Sequence, residues 1–355
     1  MRLSNSKGDY TMRVARVAAG IVILALGVYS AASVRTTRAT AKAQQGPISP
    51  PPGEDTQSNP QSLPEAQAPL ESKTTVVNVF ATVRDHHNGI VSDLGKDDFK
   101  IYEDGVEQKV QYFTKEVDMP ITLGILMDTS GSMDRMLPAE QDAASRFVRE
   151  ILRKKDEAMV ISFDLDVNLL ADFTEDSSVL EHAIHETRIN AAGPVITPGT
   201  VPQNGAIGTD LYDAIYLACH DELAHEAGRK GVVILTDAED NGSKVSVDDA
   251  IEAAQRADTV IHVILIRDYF ATTGVGPGVA RHMTEDTGGR VIDVHNDSSL
   301  EKAFDEISQE LRSQYVLGYY PTNGKRDGTF RKIKVAVDKP DVKVLARRGY
   351  YAPYD

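Results

Sequence analysis

Cysteine is nearly missing: Cys219 is the single one in 355 residues. One thiol forms no internal disulfide, and a zinc site built on several thiolates is excluded with it. Cys219 falls on the apolar face of an expected helix, so it reads as a small core residue and not as a nucleophile. Positive charge is also scarce, 38 Lys and Arg against 53 Asp and Glu for a net −15. The shortage is uneven. Residues 1–43 hold seven of the cations (Arg2, Lys7, Arg13, Arg16, Arg35, Arg38, Lys42) and one acid, Asp9, which leaves −21 for the remainder. An acidic body of this kind argues against a nucleic-acid partner, because phosphate is bound through Lys and Arg. Most of its carboxylates read as a solvated surface.

Several site signatures are absent as well. No His-Glu-x-x-His occurs, and His182, His185, His220 and His225 read as solvated. Ser130 has no histidine placed by a motif, so a hydrolase triad has no support. Asp164-x-Asp166-x-Asn168 with Glu175 copies the spacing of an EF-hand, but Leu169 stands where glycine is required and the segment alternates like a hairpin. Gly274, Gly276 and Gly278 lack dinucleotide-binding spacing and read as a flexible loop.

What is present is organised in blocks. Val17–Val34 is free of charge and follows Arg13 and Arg16. It reads as a secretory signal cut near Ala41-Lys42-Ala43, or as a retained membrane anchor of about the minimum spanning length. Residues 1–43 therefore form a signal peptide or anchor, either of which exports the rest. Residues 44–72, rich in Pro, Gln, Ser and Glu, read as a disordered linker. Residues 73–118 turn to strand character: Val77, Val79, Ala81 and Val83 alternate, and turns fall at Asp85–Gly89 and Glu103-Asp104-Gly105.

From 119 to 314 strands and helices take turns. Strands are expected at Ile121–Met127, Ala158–Phe163, Gly231–Thr236, Val260–Ile266 and Arg290–Val294, with Val167–Phe173 an antiparallel neighbour. Helices are expected at Pro138–Lys154, Val179–Thr187, Asp210–Ala227, Val247–Ala257, Val279–Thr287 and Leu300–Leu311, the last capped by Ser298 with Glu301. The pattern predicts an α/β fold with a doubly wound, mostly parallel sheet. Residues 315–355 return to strands, the natural partners for 73–118 in a small β domain made from both flanks. Their tyrosines (Tyr315, Tyr319, Tyr320, Tyr350, Tyr351, Tyr354) are read as core packing, with a carbohydrate-binding face as the alternative.

Chemistry gathers where the first α/β strand ends. ITLGILM is apolar enough for a strand buried on both faces, and Asp128, Ser130 and Ser132 follow at alternate positions. In open α/β sheets ligands bind beyond the carboxyl ends of strands. An all-oxygen set suits a hard divalent cation. Two further oxygens belong at the same edge if the strands are parallel: Thr209, which opens GTDLYDA, and Asp237, which ends VVILTD. The bland alternative is that Asp128 and the serines only shape a turn.

MDTSGSM, GTDLYDAI and VVILTDAEDN, in that order on alternating strands and helices, resemble the von Willebrand factor type A domain over about residues 120–311. The flanking segments resemble bacterial exported proteins related to that family. The resemblance implies a metal-ion-dependent adhesion site of Asp128, Ser130, Ser132, Thr209 and Asp237. It implies Mg²⁺, with Ca²⁺ or Mn²⁺ as alternatives. The hydroxyls would bind directly and the two carboxylates largely through water, leaving a position open for a carboxylate from a protein partner. One departure stands out: Ala238 follows Asp237 where many members have glycine, an exchange expected to cost nothing. Glu239 and Asp240 beside it are read either as extra negative potential or as loop caps. The function this implies is an exported, metal-dependent adhesion or scaffold module without catalysis. A metal-assisted hydrolase and an envelope protein whose ion only stabilises the fold are the alternatives. The loops Asn190–Gly208 and Tyr269–Gly278 are expected to line the rim.

Overall fold

A computed structural model of the chain describes residues 75–115, 119–189, 208–266 and 275–354. The signal or anchor segment, the linker and most of the two rim loops lie outside the described residues. Among the described residues no helix is long and apolar enough to cross a membrane.

The chain enters through four strands, β1 (Val77–Asp85), β2 (Phe99–Glu103), β3 (Val106–Gln108) and β4 (Val110–Lys115). The α/β unit follows: β5 (Ile121–Asp128), α1 (Leu137–Ile151), β6 (Glu157–Phe163), β7 (Val167–Thr174), α2 (Ser177–Glu186), α3 (Leu211–Tyr216), β8 (Arg229–Thr236), α4 (Val247–Arg256), β9 (Thr259–Ile266), α5 (Gly276–Thr287), β10 (Val291–Val294) and α6 (Asp297–Arg312). Four strands close the chain: β11 (Tyr315–Tyr319), β12 (Phe330–Val337), β13 (Val342–Ala346) and β14 (Gly349–Tyr351).

The central sheet runs β10-β9-β8-β5-β6-β7, parallel throughout except for β7 at one edge. β5 and β9 bury all eight of their residues, because helices cover both faces. One layer of the core joins β5 to α1, α2 and α6; the other joins the sheet to α3, α4 and α5. Cys219 is fully buried in the second layer, where burial pushes its thiol up to about 12, as a core residue requires.

Two helices differ from expectation. The helix expected over Asp210–Ala227 is α-helical only to Tyr216, then widens to a π-turn over Leu217–Glu222 and ends as a 3₁₀ turn. Leu211, Ala214, Ile215, Ala218 and Cys219 are buried along it, and Leu223, four residues after Cys219, continues the buried face beyond the widened turn. α6 begins earlier than expected, and its cap is Asn296, not Ser298. The Asn296 side chain accepts the Ser299 N–H at 2.9 Å, and the Ser299 hydroxyl answers the Asn296 N–H.

The flanking strands pair with one another. β1 lies between β11 and β13 in a sheet of order β13-β1-β11-β4, and β12 pairs with β2 in a second sheet of order β14-β12-β2-β3. Val77, Val79, Ala81, Val83, Phe99 and Ile101 pack there with Tyr315, Tyr319 and Tyr350. The tyrosine hydroxyls are satisfied inside: Tyr315 donates to Val91 O, while Tyr319 and Tyr350 both donate to Glu103. Tyr320 and Tyr354 remain exposed.

The contacts by which the β domain sits on the α/β unit include two close ones. At Gly288, the left-handed cap of α5 (φ +92°), a Cβ would fall 2.5 Å from Arg347 N. Nearby, a buried charge cluster crosses the boundary: Glu310 on α6 meets Arg84 of β1 and Arg290, with His262 of β9 at 3.5 Å.

Candidate metal centre

β5 ends in register with β6 on one side and β8 on the other, pairing Asp128 with Phe163 and Met127 with Leu235. This puts Asp128 at the carboxyl edge of the sheet, fully buried. Both of its oxygens are held. Oδ1 accepts the Ser130 N–H at 2.9 Å, and Oδ2 accepts the Thr236 hydroxyl at 2.6 Å. Thr129 turns the other way and donates to Asp164 at 2.8 Å, which fixes the alternation that sends Ser130 and Ser132 outward. Asp164 is thus occupied in a hairpin turn, also accepting Leu165 N–H, in keeping with the rejection of an EF-hand. The Ser130 and Ser132 hydroxyl oxygens lie 3.0 Å apart on a 3₁₀ turn, Gly131–Met133, anchored by buried Met133.

Thr209 is brought to this edge by its backbone. Its carbonyl accepts from Asn241 N–H and Gly242 N–H, in the loop after β8, and the next residue, Asp210, donates its N–H to Asp164 O, beyond β6. Thr209 is therefore tied to the loops on both sides of the β5 end. Asp237 follows β8 directly and accepts the Glu239 N–H at 3.0 Å. The structure thus carries all five sequence-predicted residues to one edge of the sheet.

The residue after Asp237 corrects an expectation. Ala238 has φ +61°, where an L side chain costs roughly 1–2 kcal/mol relative to glycine, so the exchange is not free. The strained turn is gripped from outside: a Cβ on Gly276 would lie 2.4 Å from Asp237 O. Glu239 and Asp240 act as loop caps, accepting N–H groups from Gly276 and Tyr212 respectively.

Burial pushes the Asp128 carboxyl up to about 6; the hydrogen bonds from Ser130 and Thr236 hold it down and the charge of Asp237 adds to the rise. A second acid, missed in the sequence, lies close enough to feel Asp128. Glu140, in the first turn of α1, is fully buried, and neither of its carboxylate oxygens has a hydrogen-bond partner. Burial, and then the charge of Asp128, push it well above the usual carboxylate range. The signal was available: Glu140 lies on the stripe of Leu137, Ala144, Phe147 and Ile151, where an acid has no ordinary reason to be.

These residues fit a hard divalent cation. Among the described residues no three His, Cys, Asp or Glu side chains group to hold an ion unaided, so a cation here rests on hydroxyls as well as carboxylates. The donors are Ser130, Ser132, Thr209, Asp128 and Asp237, all oxygens. Three acids, Asp128, Glu140 and Asp237, two of them desolvated, share a small region, and the positive charge of a cation would offset theirs.

Residues 123–239 match the sequence model of the von Willebrand factor type A domain. Solved structures similar to the chain include the vWF domain of the type V pili tip protein Mfa5 from Porphyromonas gingivalis, 14% identical over 54% of this chain and 95% of that one, with a TM-score of 0.42. The conserved hypothetical protein BatB from Bacteroides thetaiotaomicron is 20% identical over 54% of this chain and all (100%) of that one, TM-score 0.40. A von Willebrand factor type A protein from Catenulispora acidiphila is 13% identical over 72% and 74% of the two chains, TM-score 0.45. No curated protein matches the chain.

Proposed function

We propose, on the premise that residues 123–239 form a von Willebrand factor type A domain, that this chain is a metal-dependent protein-binding module of the cell envelope. The observation that carries the reading is Asp128: buried, with both oxygens already oriented, directly behind the outward hydroxyls of Ser130 and Ser132. A divalent cation, with Mg²⁺ the best fit to six oxygens and retained waters, would be held by Ser130, Ser132 and Thr209 and balanced by Asp128 and Asp237. When bound, it supplies a positive charge at a solvent-facing position that a partner's carboxylate can approach. The chain's own residues do the rest. Thr236 and the Ser130 N–H keep Asp128 from rotating, and the Gly131–Met133 turn holds the two hydroxyls at the rim. The module is non-catalytic in this reading. Residues 1–43 would place it outside the cytoplasm, secreted, periplasmic or anchored, and residues 44–72 would hold it off the membrane.

The test is cation titration followed by melting and by capture of envelope proteins. Partner capture that needs Mg²⁺, is lost in chelator, and is lost in Asp128→Ala with the fold intact supports the reading. Equal capture with and without chelator overturns it.

A further inference from the structure

Across the boundary between the α/β unit and the β domain lies a cleft of about 480 Å³. Seven of the residues lining it are basic and two, Glu285 and Asp293, are acidic. That balance is the reverse of the chain as a whole, which carries −15. Most of the cations are accounted for by pairing. Arg84 and Arg290 share the buried Glu310, Arg347 meets Asp258 at 2.8 Å, and Arg348 meets Glu285 at 2.6 Å and Asp286 at 3.0 Å. Arg281 on α5, Lys334 on β12 and Lys343 on β13 have no acidic partner among the described residues, and all three are exposed. They come from three elements and from both halves of the molecule.

We propose that this cleft binds a small polyanion, a molecule carrying two or more phosphate or carboxylate groups. Unpaired cations scattered over an acidic surface are neutralised by their neighbours; three gathered in one concavity focus a positive field instead. The volume is that of a small-molecule site. Two of the three free cations are lysines, point charges that accept an oxyanion from many directions, while Arg281 adds a planar fork. Arg84, Arg290 and Arg347 behind them are held in place by Glu310 and Asp258, so the floor is built before a ligand arrives. Because Lys334 and Lys343 belong to the β domain and Arg281 to α5, a bound polyanion would join the two halves. The site is separate from the strand-end acids, and its ligand does not depend on a cation there.

The full chain is titrated calorimetrically with tripolyphosphate and, separately, with citrate, in divalent-free buffer at about 50 and 150 mM salt. The expected result is saturable 1:1 binding of at least one probe, the tighter one naming the chemistry. Affinity should fall about 100-fold in the triple variant Arg281→Gln, Lys334→Gln, Lys343→Gln, and about fivefold in Lys334→Gln or Lys343→Gln alone should the triple variant fail to fold. Lys302→Gln, an exposed change on α6, and Asp128→Ala should bind as the wild type does. Absence of saturable binding with both probes overturns the proposal. So does wild-type affinity in the triple variant or in both single variants, or equal weakening by Lys302→Gln.

Discussion

Asp128 makes the cation-free protein sensitive to pH in a direction that can be worked out. Its carboxyl is raised from 3.8 to about 6 by burial, and it is almost wholly buried, so solvent screening takes little from the effect. An acid raised by folding holds its proton longer in the folded state than in the unfolded one. The folded state therefore binds more protons between pH 3.8 and about 6, and stability falls as pH rises through that window. A shift of this size corresponds to about 3 kcal/mol at neutral pH. Glu140, raised in the same direction, adds to the loss. Asp128→Asn removes one titrating group and leaves an oxygen for the Ser130 N–H. In chelator, the melting temperature of the wild type should fall from pH 4 to pH 7 by roughly 6–12 °C more than that of the variant. Mg²⁺ at about 100 times its Kd should return about 2.7 kcal/mol to the wild type at pH 7 and nothing to the variant. Melts followed by circular dichroism, with and without chelator, measure both. Parallel pH profiles for the two proteins in chelator would refute the electrostatic reasoning, whatever partner the protein binds.

Other changes should have equally definite results. Glu140→Gln removes a buried carboxyl that has no hydrogen-bond partner, so it should raise the melting temperature in chelator at pH 7 while weakening Mg²⁺ binding, both read by the same titration. Glu310→Gln leaves Arg84 and Arg290 without their shared counter-charge and should cost about 3–5 kcal/mol in urea unfolding; an unchanged midpoint would show the cluster to be solvated. Gly288→Ala combines φ +92° with a contact to Arg347 N and should cost at least about 2 kcal/mol by the same measurement. His262 is held neutral by burial, its pKa lowered, so its share of stability is present at neutral pH and is lost as pH falls; His262→Gln should flatten that acid limb.

The α/β alternation and the five oxygens at the strand ends were legible because both rest on short-range rules. A doubly buried strand reads as an apolar run, and parallel strands bring their carboxyl ends to one edge. The pairing of the flanks was legible for the same reason, since strands left over at both ends need partners. What sequence did not show depends on packing in three dimensions. The π-turn after Tyr216 leaves no mark in the spacing, since Ile215, Cys219 and Leu223 keep ordinary i, i+4 intervals. Asn296 outcompetes Ser298 as a cap through geometry that composition does not encode. Ala238 looked like a harmless replacement until its φ was known. Glu140 was visible as an acid on an apolar stripe, but its bearing on the site required knowing that α1 carries it back toward Asp128.

The interrupted β domain has a consequence for how this chain is made. β1 finds its partner β11 only across the whole α/β unit: Val79 pairs with Leu317. During synthesis β1 to β4 emerge first and must wait, with apolar faces open, while everything up to β11 is completed. The α/β unit pairs its strands over shorter separations and has its core complete by α6, so it is able to fold first. Its two ends are then pinned together by Arg229, which donates to Met119 O at the entrance and to Leu311 O at the exit. That pin turns a long, slow search into a local one, because β4 and β11 leave the same point and need only zip. A chain truncated after α6 would keep its strand-end site and lose the partner of its first strand, leaving β1 as an open edge and an aggregation hazard.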